Sequence, residues 1–335
     1  MISASSAFSV VKLGDNNPEP RSMNHALSTY LLVGHRLTSV WFEKIWNAGI
    51  PAVEIFCARQ HFDYHDTAQV RELGHWFRDS DLKVRSLHSP LYSDEVWGRS
   101  GPQAVVDVTE PEKRRRIVAV DEIKRAIEVA EYIPFQYLVQ HLGASGQEYD
   151  ERRVDAAFTA LEELTVFARQ RGVEVLVENI PNELSTAERL SLFNEQTHLH
   201  LNYAFDVGHA HMAGSVEAAW SIMADRVRST HVHDNNGVDD QHLFPLQSRD
   251  SSQQSRDREG AVSQQSRDSS QQSRDREGAV THGTVDWRKT MRLLRSRQDH
   301  YPLLLELREI PDMANPIAAA RDTLQRLEEL SEPEG

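Results

Sequence analysis

His88 in VRSLHSP, His141 in YLVQHLG, Glu178 in VLVENIP, Asp206 and His209 in AFDVGHAH, His231 in STHVHDN, Asp240 and His242 in DDQHL, and Glu306 in LLLELRE share one placement. Each stands at or just beyond the C-terminal end of a short apolar run. Imidazole and carboxylate together form a donor set for a divalent cation such as Zn²⁺, Mn²⁺ or Co²⁺. A carboxylate in an apolar strand also needs a partner, because burying an unpaired charge is costly. The pattern points to metal-assisted chemistry, with ligands delivered one strand at a time. Bland readings stand beside it: His88 and His141 fit hydrogen-bonded pocket histidines, and DDQH fits a solvated loop. His211 and His233 read as supporting residues rather than ligands.

The elements that must position these residues alternate along the chain. Apolar runs at 27–33, 52–57, 83–88, 136–141, 173–178, 202–206, 227–232 and 302–307 read as strands buried on both faces. Between them, apolar residues recur at helical spacing over 38–48, 67–79, 111–132, 150–171, 186–195, 215–225, 286–297 and 315–330. Asp150 and Ser215 are placed to cap helix starts, and Gly172 to follow a helix end. Eight strands alternating with eight helices predict an α/β fold, a single-domain (β/α)₈ TIM barrel. That barrel gathers strand C-termini, and hence the ligands, at one mouth. An open doubly wound sheet is the structural alternative. It would not bring ligands from so many strands around one point, and no Gly-rich dinucleotide fingerprint follows the first strand.

Composition narrows the partners. The 335 residues carry 37 Lys and Arg against 51 Asp and Glu, a net charge of −14. That acidity argues against a nucleic-acid partner, because sequence-independent binding rests on Lys and Arg. The single cysteine, Cys57, excludes an intrachain disulfide and fits a reducing, cytoplasmic setting. No apolar run reaches membrane-spanning length, and residues 1–24 lack the pattern of a secretory signal. They read as a flexible N-terminal extension, with Met23 a candidate start. Oligomeric state is left open, a homo-oligomer included. The segment QSRDSSQQSRDREGAV at 247–262 recurs unchanged at 265–280. This composition offers almost nothing to bury, so 247–281 is expected to be a disordered insertion in the loop after strand seven. It interrupts a barrel otherwise spanning 25–330, and a tolerated genetic insertion explains it better than a regulatory loop.

Taken in order, VENIP, FDVGHAH, HVHDN with DDQHLFP, GTVDW and the Glu306 strand resemble the xylose isomerase-like barrel superfamily. That superfamily holds sugar and sugar-phosphate isomerases and epimerases alongside the endonuclease IV type of apurinic-site nuclease (AP endonuclease family 2). The resemblance covers roughly residues 27–330 apart from the insertion. It implies that Glu178, Asp206, His231 and Glu306 bind one divalent cation (Mn, Co, Mg or Zn) and that His209 contacts substrate. In the nuclease branch, His88, His141, His209, Asp240 and His242 join the four carboxylate and imidazole ligands to hold three zinc ions. The ketose 3-epimerase pattern is incomplete here. Leu184 stands where a second catalytic glutamate is expected, and Gly237 where an arginine is expected.

For a sugar substrate, the chemistry is removal of a proton beside a carbonyl and its return elsewhere. A metal lowers the barrier to the enediolate. Glu178 and Glu306 are the natural acid–base pair, with His209 orienting a hydroxyl. Arg308, with the strand parity of Glu306, and Asn179 are candidates for binding substrate. Of the six tryptophans, Trp97 alone lies where it could wall a pocket; the others read as packing residues. The alternatives are a zinc phosphodiesterase using the same residues on DNA and a catalytically inactive barrel.

Overall fold

A computed structural model of the chain describes residues 23–247, 283–311 and 313–330. Eight parallel strands form the barrel: β1 (His25–Ser28), β2 (Ala52–Phe56), β3 (Lys83–His88), β4 (Tyr137–Gln140), β5 (Glu174–Glu178), β6 (Asn202–Asp206), β7 (Val227–His231) and β8 (Leu303–Leu305). Their hydrogen-bonded order is β7-β6-β5-β4-β3-β2-β1-β8. The ring closes just past β7, where Val232 bridges to Leu305 and its N–H donates to Leu304 O at 2.9 Å. The architecture is a (β/α)₈ TIM barrel.

Helices α1 (Ser39–Asn47), α2 (Thr67–Arg78), α3 (Lys113–Glu128), α4 (Glu151–Arg169), α5 (Ala187–Gln196), α6 (Val207–Met212), α7 (Val216–Met223), α8 (Trp287–Arg295) and α9 (Pro316–Glu329) lie between and after the strands. Their starts follow capping chemistry. Asp150 accepts from Arg152 N at 2.9 Å and Ser215 from Ala218 N at 3.2 Å, satisfying amides that have no intrahelical partner. Gly172, at φ +72°, turns the chain out of the end of α4 in a conformation that glycine tolerates.

Strand alternation divides the apolar residues into two sets. Leu27, Val53, Ile55, Leu138, Val175, Val177 and Phe205 point outward into the main core, with Phe42, Ile45, Ile123, Leu161 and Leu164 of the helices. Tyr137, Val139, Leu176 and Ala204 form a smaller cluster on the inward face. Val139, Leu176 and Ala204 are each two residues before a candidate ligand: His141, Glu178 and Asp206. Packing the barrel interior thus fixes where the ligand side chains emerge.

Three expectations need adjustment. The first strand ends at Ser28 rather than running through 27–33, and Thr29–Leu32 forms a 3₁₀ turn. Thr29 Oγ1 takes the N–H of Phe56 at 2.9 Å, so a side chain replaces the ladder where β1 leaves the sheet. The helix expected over 111–132 runs from Lys113 to Glu128 and tightens into a 3₁₀ turn over Val129–Glu131. Met23 and Asn24 belong to the barrel: Met23 N donates to Glu328 Oε1 at 2.8 Å, and Leu303 N to Asn24 O at 2.7 Å. The rest of the expected extension, and the repeat apart from Gln247, lie outside the described residues.

Candidate metal centre

At the C-terminal mouth the ligand candidates fall into three adjoining groups, each with donor atoms all within 4.8 Å of one another. The first is His88, His141 and Glu178; the second is Glu178, Asp206, His231 and Glu306; the third is His209, His233, Asp240 and His242. Glu178 joins the first two. Its Oε2 lies 3.1 Å from His141 Nε2 and 3.6 Å from His88 Nε2, while its Oε1 lies 3.1 Å from His231 Nδ1. Glu306 Oε2 approaches the same His231 nitrogen at 3.4 Å, and Asp206 Oδ2 at 3.9 Å. The second group is buried throughout, whereas Asp240 of the third has a side chain 32 % exposed at the rim. All nine residues singled out by spacing are therefore neighbours.

Hydrogen bonding sets the orientation of the imidazoles. The outer nitrogen of His88 meets Ser89 O at 3.0 Å, that of His209 meets Asn179 O at 3.0 Å, and that of His242 meets Glu306 O at 3.1 Å. A carbonyl only accepts, so these nitrogens carry protons, and in a neutral ring the other nitrogen presents a lone pair. Those inner nitrogens converge on one another and on carboxylates. His88 Nε2 and His141 Nε2 are 3.2 Å apart, and His209 Nε2 and His242 Nε2 lie 3.2 and 3.3 Å from Asp240 Oδ2. His231 Nδ1 and Glu178 Oε1, though 3.1 Å apart, are buried without a hydrogen-bond partner. Converging lone pairs and orphaned acceptors of this kind fit a divalent cation, with outer partners that fix the ligand rings.

The electrostatics agree with that fit. Burial raises the carboxyl pKa values of Glu178 and Asp206, but neighbouring imidazoles outweigh it and hold both below the usual range, Glu178 well below. Burial lowers the imidazoles, yet the carboxylates raise His231 and His209 well above the ordinary value. His242 is carried up to about 9, chiefly by Asp240, against the pull of burial. His141 goes down because desolvation prevails over Glu178. The carboxylates therefore favour positive charge at this mouth, either as protons on imidazole or as a cation displacing them.

Local structure explains how these residues arrive. Asp206 closes β6 and caps the six-residue helix α6, accepting from His209 N at 2.6 Å. Gly208 gives His233 its room, since a Cβ there would meet the ring at 2.1 Å. His242 sits at φ +48°, an uncommon conformation for a non-glycine residue. Asn179, expected to bind substrate, engages the Asp206 backbone with both amide atoms, each at 2.9 Å. Arg308 is exposed at the rim, and its N–H donates to His242 O at 2.9 Å. On one side of the mouth, Tyr30 packs against Phe56 at 4.9 Å, Trp97 at 6.0 Å and His242 at 5.0 Å between ring centroids.

Two residues of the centre had weaker signals. His233, read from sequence as a supporting residue, places Nε2 3.1 Å from Asp206 Oδ2 and stacks on His242. Its alternation with His231 in HVHD already put both on one strand face. Glu54, a carboxylate inside AVEIF, is fully buried and lies 3.0 Å from His231 Nε2. The cost of burying such a carboxylate was the available signal.

The chain resembles an uncharacterized protein of Methanocaldococcus jannaschii, MJ1311, with 28% identity over 233 residues covering 66% of this chain and 74% of that protein. Among solved structures, a D-tagatose 3-epimerase-like protein superposes with a TM-score of 0.65 at 20% identity, covering 92% of this chain and 97% of the other. The IolI protein with a bound zinc atom gives 0.65 at 13% identity, covering 92% and 98%. The family model for the xylose isomerase-like TIM barrel matches residues 42–330, and the chain belongs to that family.

Proposed function

We propose that this chain is a divalent-metal-dependent isomerase or epimerase of a sugar or sugar phosphate. The observation that carries the reading is the buried Glu178–Asp206–His231–Glu306 group, in which two carboxylates from β5 and the end of β8 flank one imidazole nitrogen. Those four residues would hold the cation, which when bound polarises the carbonyl and hydroxyl oxygens of a sugar. Glu178 and Glu306 approach from different strands, so one can take a proton from carbon while the other returns it. His209, fixed by Asn179 O, presents Nε2 toward the rim, where it can orient a hydroxyl. The Tyr30, Phe56 and Trp97 wall offers apolar faces against which a sugar ring can stack. The epimerase-like and zinc-bearing structural neighbours support the same reading. Among the described residues no helix is long and apolar enough to cross a membrane. Together with buried Cys57, that fits a cytoplasmic small-molecule enzyme.

A second reading has its own observation. The His88–His141–Glu178 and His209–His233–Asp240–His242 groups adjoin the first and could hold further cations. Glu178 is common to two of these groups, and a centre loaded with several metals would supply a nucleophile and charge stabilisation for attack on a phosphodiester, as in a zinc phosphodiesterase. The net charge of −14 weighs against DNA as its substrate.

The test is solvent deuterium incorporation. Metal-loaded full-length chain is incubated in D₂O with a panel of ketoses, aldoses and their phosphates, and C–H loss is followed by NMR. The proposal expects exchange into at least one sugar. It expects a loss of at least about 100-fold in Glu178→Gln and Glu306→Gln, the scale of a general acid–base group. No exchange across the panel, alongside cleavage of an abasic oligonucleotide, overturns it for the second reading.

A further inference from the structure

Glu54 lies in the middle of β2, fully buried, and is not among the residues grouped around a cation. Its register neighbours are Ser28 on β1 and Ser86 on β3, both small and fully buried. The short side chains leave the glutamate room to reach inward rather than pack against its neighbours. Ser86 Oγ donates to Glu54 Oε2 at 2.8 Å, and His231 Nε2 lies 3.0 Å from Glu54 Oε1. His231 is on β7, which is not a sheet neighbour of β2, so the contact crosses the barrel interior. A carboxylate paired this way is well suited to staying ionised.

The consequence lies at the other ring nitrogen. A carboxylate accepting from Nε2 places a proton there, so Nδ1 of a neutral ring must carry the lone pair. That Nδ1 is the buried, unpartnered nitrogen facing Glu178, Asp206 and Glu306. We infer that Glu54 is a positioning residue: from across the barrel it fixes the tautomer and ring plane of His231, so that Nδ1 is offered to the cation. The inference rests on the metal-centre reading above. It adds to the site a carboxylate that touches neither cation nor substrate. A carboxylate behind a ligating imidazole also raises its basicity as a donor.

The test uses full-length chain stripped of metal by chelation and titrated calorimetrically with Mn²⁺ and with Zn²⁺. Glu54→Leu keeps the volume but has no acceptor, while Glu54→Gln keeps an oxygen without the charge. The expected order is wild type tightest, Glu54→Gln about 10-fold weaker and Glu54→Leu about 100-fold weaker, spanning the range for such outer partners. In metal-free protein labelled with ¹⁵N-histidine, the neutral ring of His231 should carry its proton on Nε2 in wild type and Glu54→Gln, and lose that single defined tautomer in Glu54→Leu. A merely structural glutamate would not move the ring's protonation. If Glu54→Leu fails to fold, Glu54→Gln carries the test alone. Affinity equal to wild type in either folded variant overturns the role of Glu54 and leaves the metal centre standing. No metal uptake by wild type overturns both.

Discussion

His61 shows how one residue outside the centre can make the stability of the fold depend on pH. It is fully buried, its Nδ1 donates to His35 O, and its Nε2 has no partner. Burial is the main cause that pulls its pKa down to about 4. The unfolded chain therefore binds a proton at this residue between about pH 6.5 and 4 that the folded chain does not, so stability falls as pH drops through that window. The loss is roughly 3 kcal/mol at its full extent. His61→Asn keeps an N–H donor for His35 O but does not titrate. Its unfolding free energy should decline less steeply than that of wild type between pH 6.5 and 4.5, even if it starts lower. Parallel declines in urea titrations would show that His61 is not the group responsible. At this scale the sequence was a good guide to which side chains cluster at the mouth and a poor one to their partners. His231 was legible from HVHDN, but the atom that orients it lies 177 residues away on β2, a separation that no local pattern reports.

At the scale of elements, the segment after β7 is the one that the repeat interrupts in sequence. Asp234 fastens both sides of the interruption. Its backbone pairs with Leu243 at 2.8 Å in both directions, and its carboxylate accepts from Val285 N at 3.1 Å and Trp287 Nε1 at 2.6 Å. Gly283 passes so close that a Cβ there would meet the Asp234 carboxyl carbon at 1.9 Å. The motif pieces HVHDN and GTVDW are thus two halves of one contact. Asp234→Ala leaves those buried donors unsatisfied and should cost about 3 kcal/mol, measured by denaturant unfolding. A change below about 0.5 kcal/mol would place the anchoring elsewhere. Because that anchor lies within the barrel, replacing residues 248–282 with a short Gly/Ser linker should leave the thermal midpoint and metal affinity undiminished. A fall in either would give the repeat a part in the fold or the site. The strands were legible as short runs of consecutive apolar residues, and the eight main helices because eight or more residues are enough to show an apolar period. The 3₁₀ turn at Thr29–Leu32 was not, because TYLLV has strand composition and side chains divert it, Ser28 capping the turn at Tyr30 N and Thr29 accepting from Phe56 N. Helix α6 was hidden for a different reason: six residues are too few to show a period, and its start depends on the Asp206 cap.

For the whole molecule, the barrel and its proposed metal centre should be thermodynamically linked. Binding a cation only to the folded chain adds about 2.7 kcal/mol at a concentration 100-fold above Kd. For a domain of this size that corresponds to a thermal midpoint roughly 4–5 °C higher. Differential scanning calorimetry of metal-loaded and chelator-stripped chain should show that difference, and coincident midpoints would uncouple the centre from the fold. The barrel explains why so much of the site could be read from spacing: parallel strands deliver their ends to one mouth, so residues distant in sequence become neighbours by topology alone. The clustered imidazoles and carboxylates at that mouth are what the proposed function rests on, because the fold by itself does not choose a reaction. The most direct test is metal content per chain, measured by elemental mass spectrometry on full-length protein purified without chelator or added metal. The account predicts at least one divalent cation per chain in wild type, and a clear loss in Glu178→Ala, which removes a donor shared by two groups. A wild-type chain that carries no metal and takes up none on titration with Mn²⁺, Co²⁺ or Zn²⁺ would contradict it.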